Sequence, residues 1–219
     1  MKTSYFKSIK DFKETQPAHV LIARAFREIM PAKGNYIGFC LSLVLALFFS
    51  LLMGYSSHTV KLFSNTVAIL MTIQLAVFAC IFTVYSILLG FLNNEYMKKL
   101  AEIEIDDATS MLKRSTAYYE SVLFLYFINI GITGIANILV NCLAPHFSLT
   151  GNSTIDTGLA IVLLLIYFAF SFRVFYELKS TIYNTIVLFR ASIAYRFMAF
   201  SKEENLENNN VKEDKHNDY

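Results

Sequence analysis

"YFINIGITGIANILVNCLAPHF", residues 126–147, decides how the chain is read. It holds no Asp, Glu, Lys or Arg, and as a helix it is long enough to cross the roughly 30 Å of a bilayer's hydrocarbon core. Yet Asn129, Thr133, Asn137 and Asn141 follow one another at intervals of four. Positions four apart drift by only about 40° around a helix, so the first three share a face and Asn141 lies at its edge. Tyr119 and Tyr126 fall on the same face. An unpartnered amide in hydrocarbon costs several kcal/mol, so this stripe must face protein or water.

The charge pattern around that stretch repeats the message. The chain has 219 residues, 55% of them hydrophobic, with a mean hydropathy of +0.47, more apolar than an ordinary soluble domain. No acid or base occurs over 34–60, 62–94, 121–155 or 157–172. The first three gaps exceed the roughly 20 residues a crossing needs. The fourth is slightly short, but Arg173 at its end can send its guanidinium to the headgroups while its stem stays in lipid. Four spans are expected, at about 36–54, 66–92, 121–143 and 157–176. The first 33 residues carry seven bases with Asp11, Glu14 and Glu28, and no short apolar core before a small-residue cleavage site. They are not expected to be a secretory signal.

Orientation follows from where the bases lie. Seven of the 19 precede the first span, four lie between spans 2 and 3, and seven lie from Arg173 onward; only Lys61 is on the other side. Positive charge stays cytoplasmic, so both termini and the 2–3 loop are expected there. After Pro17, "AHVLIARAFREIM" gathers Ile22, Phe26, Ile29 and Met30 on one face, with Arg24, Arg27 and Glu28 on the other. Pro31 and Gly34 break this helix before span 1. It reads as an interfacial elbow on the inner leaflet, or as a helix docked on the protein's own cytoplasmic helices.

Spans 2, 3 and 4 are expected to extend into the cytoplasm. The stretch 93–120 keeps a helical pattern, with a turn near Asp106–Asp107, where an aspartate can cap a helix start. No Pro or Gly follows Gly158. Beyond the fourth span, Ile182, Ile186, Phe189, Ile193 and Phe197 recur every three or four residues. Such a stalk needs cover from other helices, other copies of the chain, or a partner. From Ser201 the chain is polar and charged and reads as a disordered tail.

Two readings fit the Asn/Thr ladder. It is helix–helix glue, worth about 0.6–2 kcal/mol per hydrogen bond, or copies of the helix around an axis line a polar channel. Gln74 and Tyr85 share a face of span 2 and are placed to answer the ladder. Arg173 and Glu177 are four apart at the membrane boundary and read as an interfacial ion pair, or as a switch sensitive to a partner. No charge sits near the middle of any span, which counts against proton-coupled transporters and ion pumps. Cys40, Cys80 and Cys142 read as small packing residues. The four histidines lie in four separate regions, and HExxH, GxSxG, Walker and GxGxxG patterns are missing. The acids Glu102, Glu104, Asp106 and Asp107 read as a solvated loop, with a cation site as the alternative.

Three features together, "KGNYIGFCLSLVLALFFSLLMGY" (33–55), the long second span and "FRVFYELKSTIYNTIVLFRASIAYRF" (172–197), give a layout that resembles the membrane subunits of the bacterial Kiwa anti-phage system. The resemblance is one of layout and carries over no functional residue. It implies a protein that detects infection at the inner membrane and signals to a soluble partner.

The sequence thus predicts an all-α polytopic membrane protein with four transmembrane helices, N-in/C-in, with helices 2, 3 and 4 extended into the cytoplasm. Its parts are a cytoplasmic amphipathic region (1–34), a four-helix transmembrane domain with cytoplasmic helical extensions (35–200, extensions 93–120 and 177–200) and a disordered polar tail (201–219). The expected role is a non-enzymatic homo-oligomer in the bacterial inner membrane, a sensor or scaffold for a soluble cytoplasmic protein. The alternative is a pore-forming effector or small channel lined by the ladder. No catalytic residue, cofactor, metal or direct nucleic-acid contact is expected.

Overall fold

The computed structural model of the chain describes residues 17–30, 36–91, 104–106, 109–144 and 147–217. Almost all of these are helical, in the order α1 (Ala18–Ile29), α2 (Tyr36–Gly54), α3 (Thr59–Phe91), α4 (Met111–Asn141) and α5 (Ser153–Asn217). α2 to α5 are each long and apolar enough to cross a membrane.

Local chemistry sets the helix ends. α2 runs out at Gly54, and the Thr59 hydroxyl donates to both Met53 O and Ser56 O at 2.8 Å, which folds the chain straight back into α3. α3 therefore starts at Thr59, earlier than the expected 66. Gly151 takes a positive φ of 74°, a conformation glycine adopts without steric cost. Asn152 Oδ1 then accepts the Thr154 backbone N–H at 3.1 Å, a side-chain cap that starts α5.

From there nothing stops the helix. With no Pro or Gly after Gly158, α5 continues for 65 residues to Asn217. The segment 201–217, expected as a disordered tail, is helical as far as it is described. Extending a formed helix avoids the nucleation penalty that an isolated polar segment would face.

The turn near Asp106–Asp107 is differently built from the expected helical hairpin. Strands β1 (Glu104–Asp106) and β2 (Thr109–Ser110) pair antiparallel, and α4 begins only at Met111. β-branched Ile105 and Thr109 favour this extended pairing over helix. Residues 1–16 and 92–103 of the expected cytoplasmic regions lie outside the described part.

The long helices pack in antiparallel pairs. α2 lies along α5, α3 along α4, and α4 also meets α5. The α2 face on α5 is a four-residue repeat of small side chains: Gly38, Ser42, Ala46, Ser50 and Gly54, all buried. A Cβ at Gly38 would run into the Tyr176 ring, and one at Gly54 into Ile161, so the two backbones approach as only glycine allows. The Ser42 and Ser50 hydroxyls return to carbonyls of their own helix, at 2.8 and 3.0 Å.

Two apolar clusters fill the bundle. One joins Ala46, Met53, Val67, Leu164, Tyr167 and Phe168. The other joins Ala25, Ile81, Val122, Leu125, Tyr126 and Val174, so α1 is part of the core. α1 docks on α4 and α5 through Leu21, Ala25 and Ile29, with Phe26 stacked on Phe170 at 6.0 Å between ring centroids. The docked face shares Phe26 and Ile29 with the expected one, while Ile22 and Met30 are exposed beside it. The small Ala25, fully buried, is what lets α1 approach. On the outside of the bundle, Ile69, Ile73, Phe127, Ile135, Ile138 and Ile166 are exposed, an apolar jacket suited to lipid. Cys40, Cys80 and Cys142 are also exposed rather than packed inside.

Candidate functional site

Between the two apolar clusters lies a polar layer. α3 contributes Val67 and Leu70 to one cluster and Val77, Phe78 and Ile81 to the other, with Gln74 between them. α4 places Asn129 and Thr133 at the same level, and α5 places Tyr167 and Ser171 there. The α3–α4 register fixes the depth. Ser64 bonds Asn141, and Met71 stands against Gly134, so moving three residues on along α3 brings Gln74 opposite Gly131. The sequence separates polar from apolar by helix face; the fold separates them by depth.

Within this layer the ladder finds its partners inside one protomer. Ser171 Oγ donates to Asn129 Oδ1 at 3.1 Å, and the Thr133 and Tyr167 hydroxyls bond at 3.1 Å. Asn141 Nδ2 donates to Asn137 Oδ1 at 3.0 Å, and Ser64 Oγ donates to Asn141 Oδ1 at 2.8 Å. Asn129, Thr133 and Gln74 are fully buried. At Asn129 and Thr133 the face expected as an interface or a pore lining meets α5 of the same chain. Copies of α4 around an axis could not show Asn129 or Thr133 to a lumen without taking the bundle apart. Tyr85, expected to answer the ladder with Gln74, stacks instead on Tyr119 at 5.9 Å, nearer the stalk.

Not every group is satisfied. Both polar atoms of Gln74, the Asn129 Nδ2 and the Tyr126 hydroxyl are buried without a hydrogen-bond partner among the described residues. Gln74 fits the layer by position but meets none of the ladder's amides.

At the end of the layer towards the distal part of α5, Arg173 and Glu177 form an ion pair whose side chains are 5% and 4% exposed. The pairing expected from the i, i+4 spacing is present, and it is covered by protein rather than open to the surface. Arg173 turns inward, and its Nε donates to Ile29 O at 3.0 Å, the carbonyl at the C-terminus of α1. The guanidinium also sits 5.7 Å from the Tyr176 ring centroid. A cation at the negative end of a helix dipole is favourable, and here the same cation joins α1 to the root of the stalk. Sequence reasoning could place Arg173 near Glu177; it could not show that α1 would supply a carbonyl there.

Beyond that root, α4 accompanies α5 for about two more turns. Tyr118 and Tyr119 hydroxyls meet Thr181 and Thr185, at 3.4 and 2.8 Å. Past Thr185 the predicted seam is bare. Ile186, Ile193 and Phe197 are exposed, Phe197 at 71%, and Ile182 just before them is also exposed; only Phe189 is partly covered. Tyr183, Val187, Met198 and Phe200 are exposed as well, so the apolar surface is wider than one seam. Among the described residues, no three of His, Cys, Asp or Glu stand together as a metal site would need.

The class this defines is a polytopic helical-bundle membrane protein with a long apolar stalk. No protein-family pattern, characterised protein or solved structure matches the chain.

Proposed function

We propose that this protein is an inner-membrane scaffold or sensor that holds its stalk in the cytoplasm for a soluble protein partner and for other copies of itself. The observation that carries the reading is the apolar surface of α5 beyond Thr185, which among the described residues no other helix covers. The distribution of bases supports a cytoplasmic location for both termini, and so for the stalk. The buried Arg173–Glu177 pair, tied to α1, gives a route by which the membrane bundle and the stalk would move together. The resemblance in layout to Kiwa membrane subunits adds anti-phage defence as the setting. The channel alternative has less support, because its lining residues are consumed in contacts within one protomer.

The test is native mass spectrometry of the detergent-purified chain beside a variant carrying Ile186→Glu, Ile193→Glu and Phe197→Glu. The expected result is a multimer or a complex with a soluble companion for the wild type and a bare protomer for the variant. A wild-type chain that flies as a single copy, companion-free, and still functions in its host would refute the proposal.

A further inference from the structure

At the end of the bundle opposite the stalk, where α2 turns into α3 and α4 gives way to α5, the helices leave a cavity of about 350 Å³. That is the size of a small-ligand pocket. Its walls are apolar, with Phe63, Val140, Leu143 and Leu164 among them. Its polar lining, Ser56, Thr59, Asp156 and Thr157, comes from the helix ends and the turn between α2 and α3, so it forms a rim on the headgroup side. Leu163 lines the cavity and is itself 60% exposed on the lipid-facing surface, so the space opens sideways into hydrocarbon as well. From Asp156 to Leu164 the α5 backbone rises about 12 Å, a depth suited to part of an extended chain.

Among the described residues the rim carries one charge: Asp156 is the only acid lining the cavity, and no Lys or Arg lines it. The carboxylate is held in place: Ser148 Oγ donates to Oδ2 at 2.5 Å, and the Thr150 N–H and hydroxyl donate to Oδ1 at 3.0 and 2.8 Å. A fatty-acid carboxylate or an anionic headgroup would meet like charge there. An ammonium group would meet its complement.

We propose that this cavity is a binding site for a membrane phospholipid bearing an ammonium headgroup, with one acyl chain in the cavity and the ammonium on Asp156. The site goes beyond the partner reading and does not depend on what the stalk carries or on which side of the membrane the termini lie. It selects by charge at the rim and by shape below it.

The experiment uses the full chain in nanodiscs of equal phosphatidylethanolamine and phosphatidylglycerol with identical acyl chains, followed by stepwise delipidation and native mass spectrometry. The wild type is expected to retain phosphatidylethanolamine about fivefold over phosphatidylglycerol, within what one exposed charge pair supplies. Asp156→Asn should bring the ratio to parity while lipid is still retained. Ala160→Trp, and separately Leu163→Trp, should fill the space and abolish retention of both lipids, in protein shown by its thermal melt to be folded. A wild type that retains neither lipid, or both equally, overturns the proposal. So does an unchanged ratio in Asp156→Asn, or undiminished retention in both folded Trp variants.

Discussion

α5 is one helix in two surroundings. From Ser153 to about Thr181 it belongs to the bundle; Leu164, Phe168 and Val174 are buried in its core, and Val162, Leu163 and Ile166 are exposed around it. Beyond Thr185 it shows Ile186, Ile193, Phe197 and Phe200. The exposed residues are of the same types in both parts, and only one part has a solvent that suits them. A helix of 65 residues is about 98 Å long, roughly three times the hydrocarbon thickness, so the bilayer can cover only one of the two. In the bundle, exposed apolar residues say where lipid is. On the stalk they are what the proposed partner or second copy would cover. The polar residues tell the same story in reverse, since the bundle hides Gln74, Asn129 and Thr133 while showing isoleucines.

If that contrast holds, disturbing what the bundle hides should cost stability, and disturbing what the stalk shows should not. Arg173→Ala is the harshest test. It leaves Glu177 charged and buried without its cation and removes the donor to Ile29 O. The expected loss is about 3–5 kcal/mol, while the double change Arg173→Leu with Glu177→Leu should recover most of it. Thermal unfolding in a mild detergent would measure both. If the single variant melts like the wild type, the pair is not buried as described.

Gly38→Ala probes the tightest approach of α2 to α5. The added methyl falls on the Tyr176 ring, so an overpacking cost of about 1–3 kcal/mol is expected, read as a lowered melting temperature. Gly131→Ala is the control, because a Cβ there meets nothing within 4 Å. Equal melting shifts for the two would argue against close α2–α5 packing.

Gln74→Leu has the opposite expected sign. The amide is fully buried with neither polar atom partnered among the described residues, so removing it should stabilise the bundle by about 1–3 kcal/mol. A destabilised variant would mean that Gln74 has a partner in the folded membrane protein. Asn137→Leu should do less. It loses one partly exposed hydrogen bond to Asn141, worth about 0.6 kcal/mol in a membrane interior. A loss well above that would give Asn137 a role beyond this bond.

The parts of this architecture that follow from long-range averages were legible in the sequence. Long charge-free runs say where spans belong, because lipid penalises charge whatever packs beside it. The seam at Ile186, Ile193 and Phe197 follows from helical periodicity alone. What depends on the neighbouring helix was not legible. The ladder's period of four showed that Asn129 and Thr133 share a face, but not that Ser171 and Tyr167 of α5 would answer them. The stripe of Gly38, Ser42, Ala46, Ser50 and Gly54 has the same period of four and was passed over, because small residues carry no chemistry that draws attention. Snorkelling says how Arg173 can reach the headgroups, but not that the carbonyl of Ile29 and the carboxylate of Glu177 hold its guanidinium under cover of α1. The end of α5 was misplaced for another reason. Low apolar content suggests disorder when a segment stands alone, but not when it continues a helix already formed.

The last test has the smallest expected effect on stability, and it sharpens the contrast most. Phe197→Glu puts a charge on a side chain that is 71% exposed and far from both core clusters. Surface changes of this kind shift stability by no more than about 0.5 kcal/mol, so the bundle should melt as before. Association of the stalk, read as mass by light scattering in detergent, should nevertheless fall, because a charge at an apolar contact must be desolvated without a partner. An unchanged melt with lost association separates the two halves of α5 by function as well as by surroundings. An unchanged melt with unchanged association would show that Phe197 is bare in the working protein. The apolar stalk would then need an explanation other than a partner.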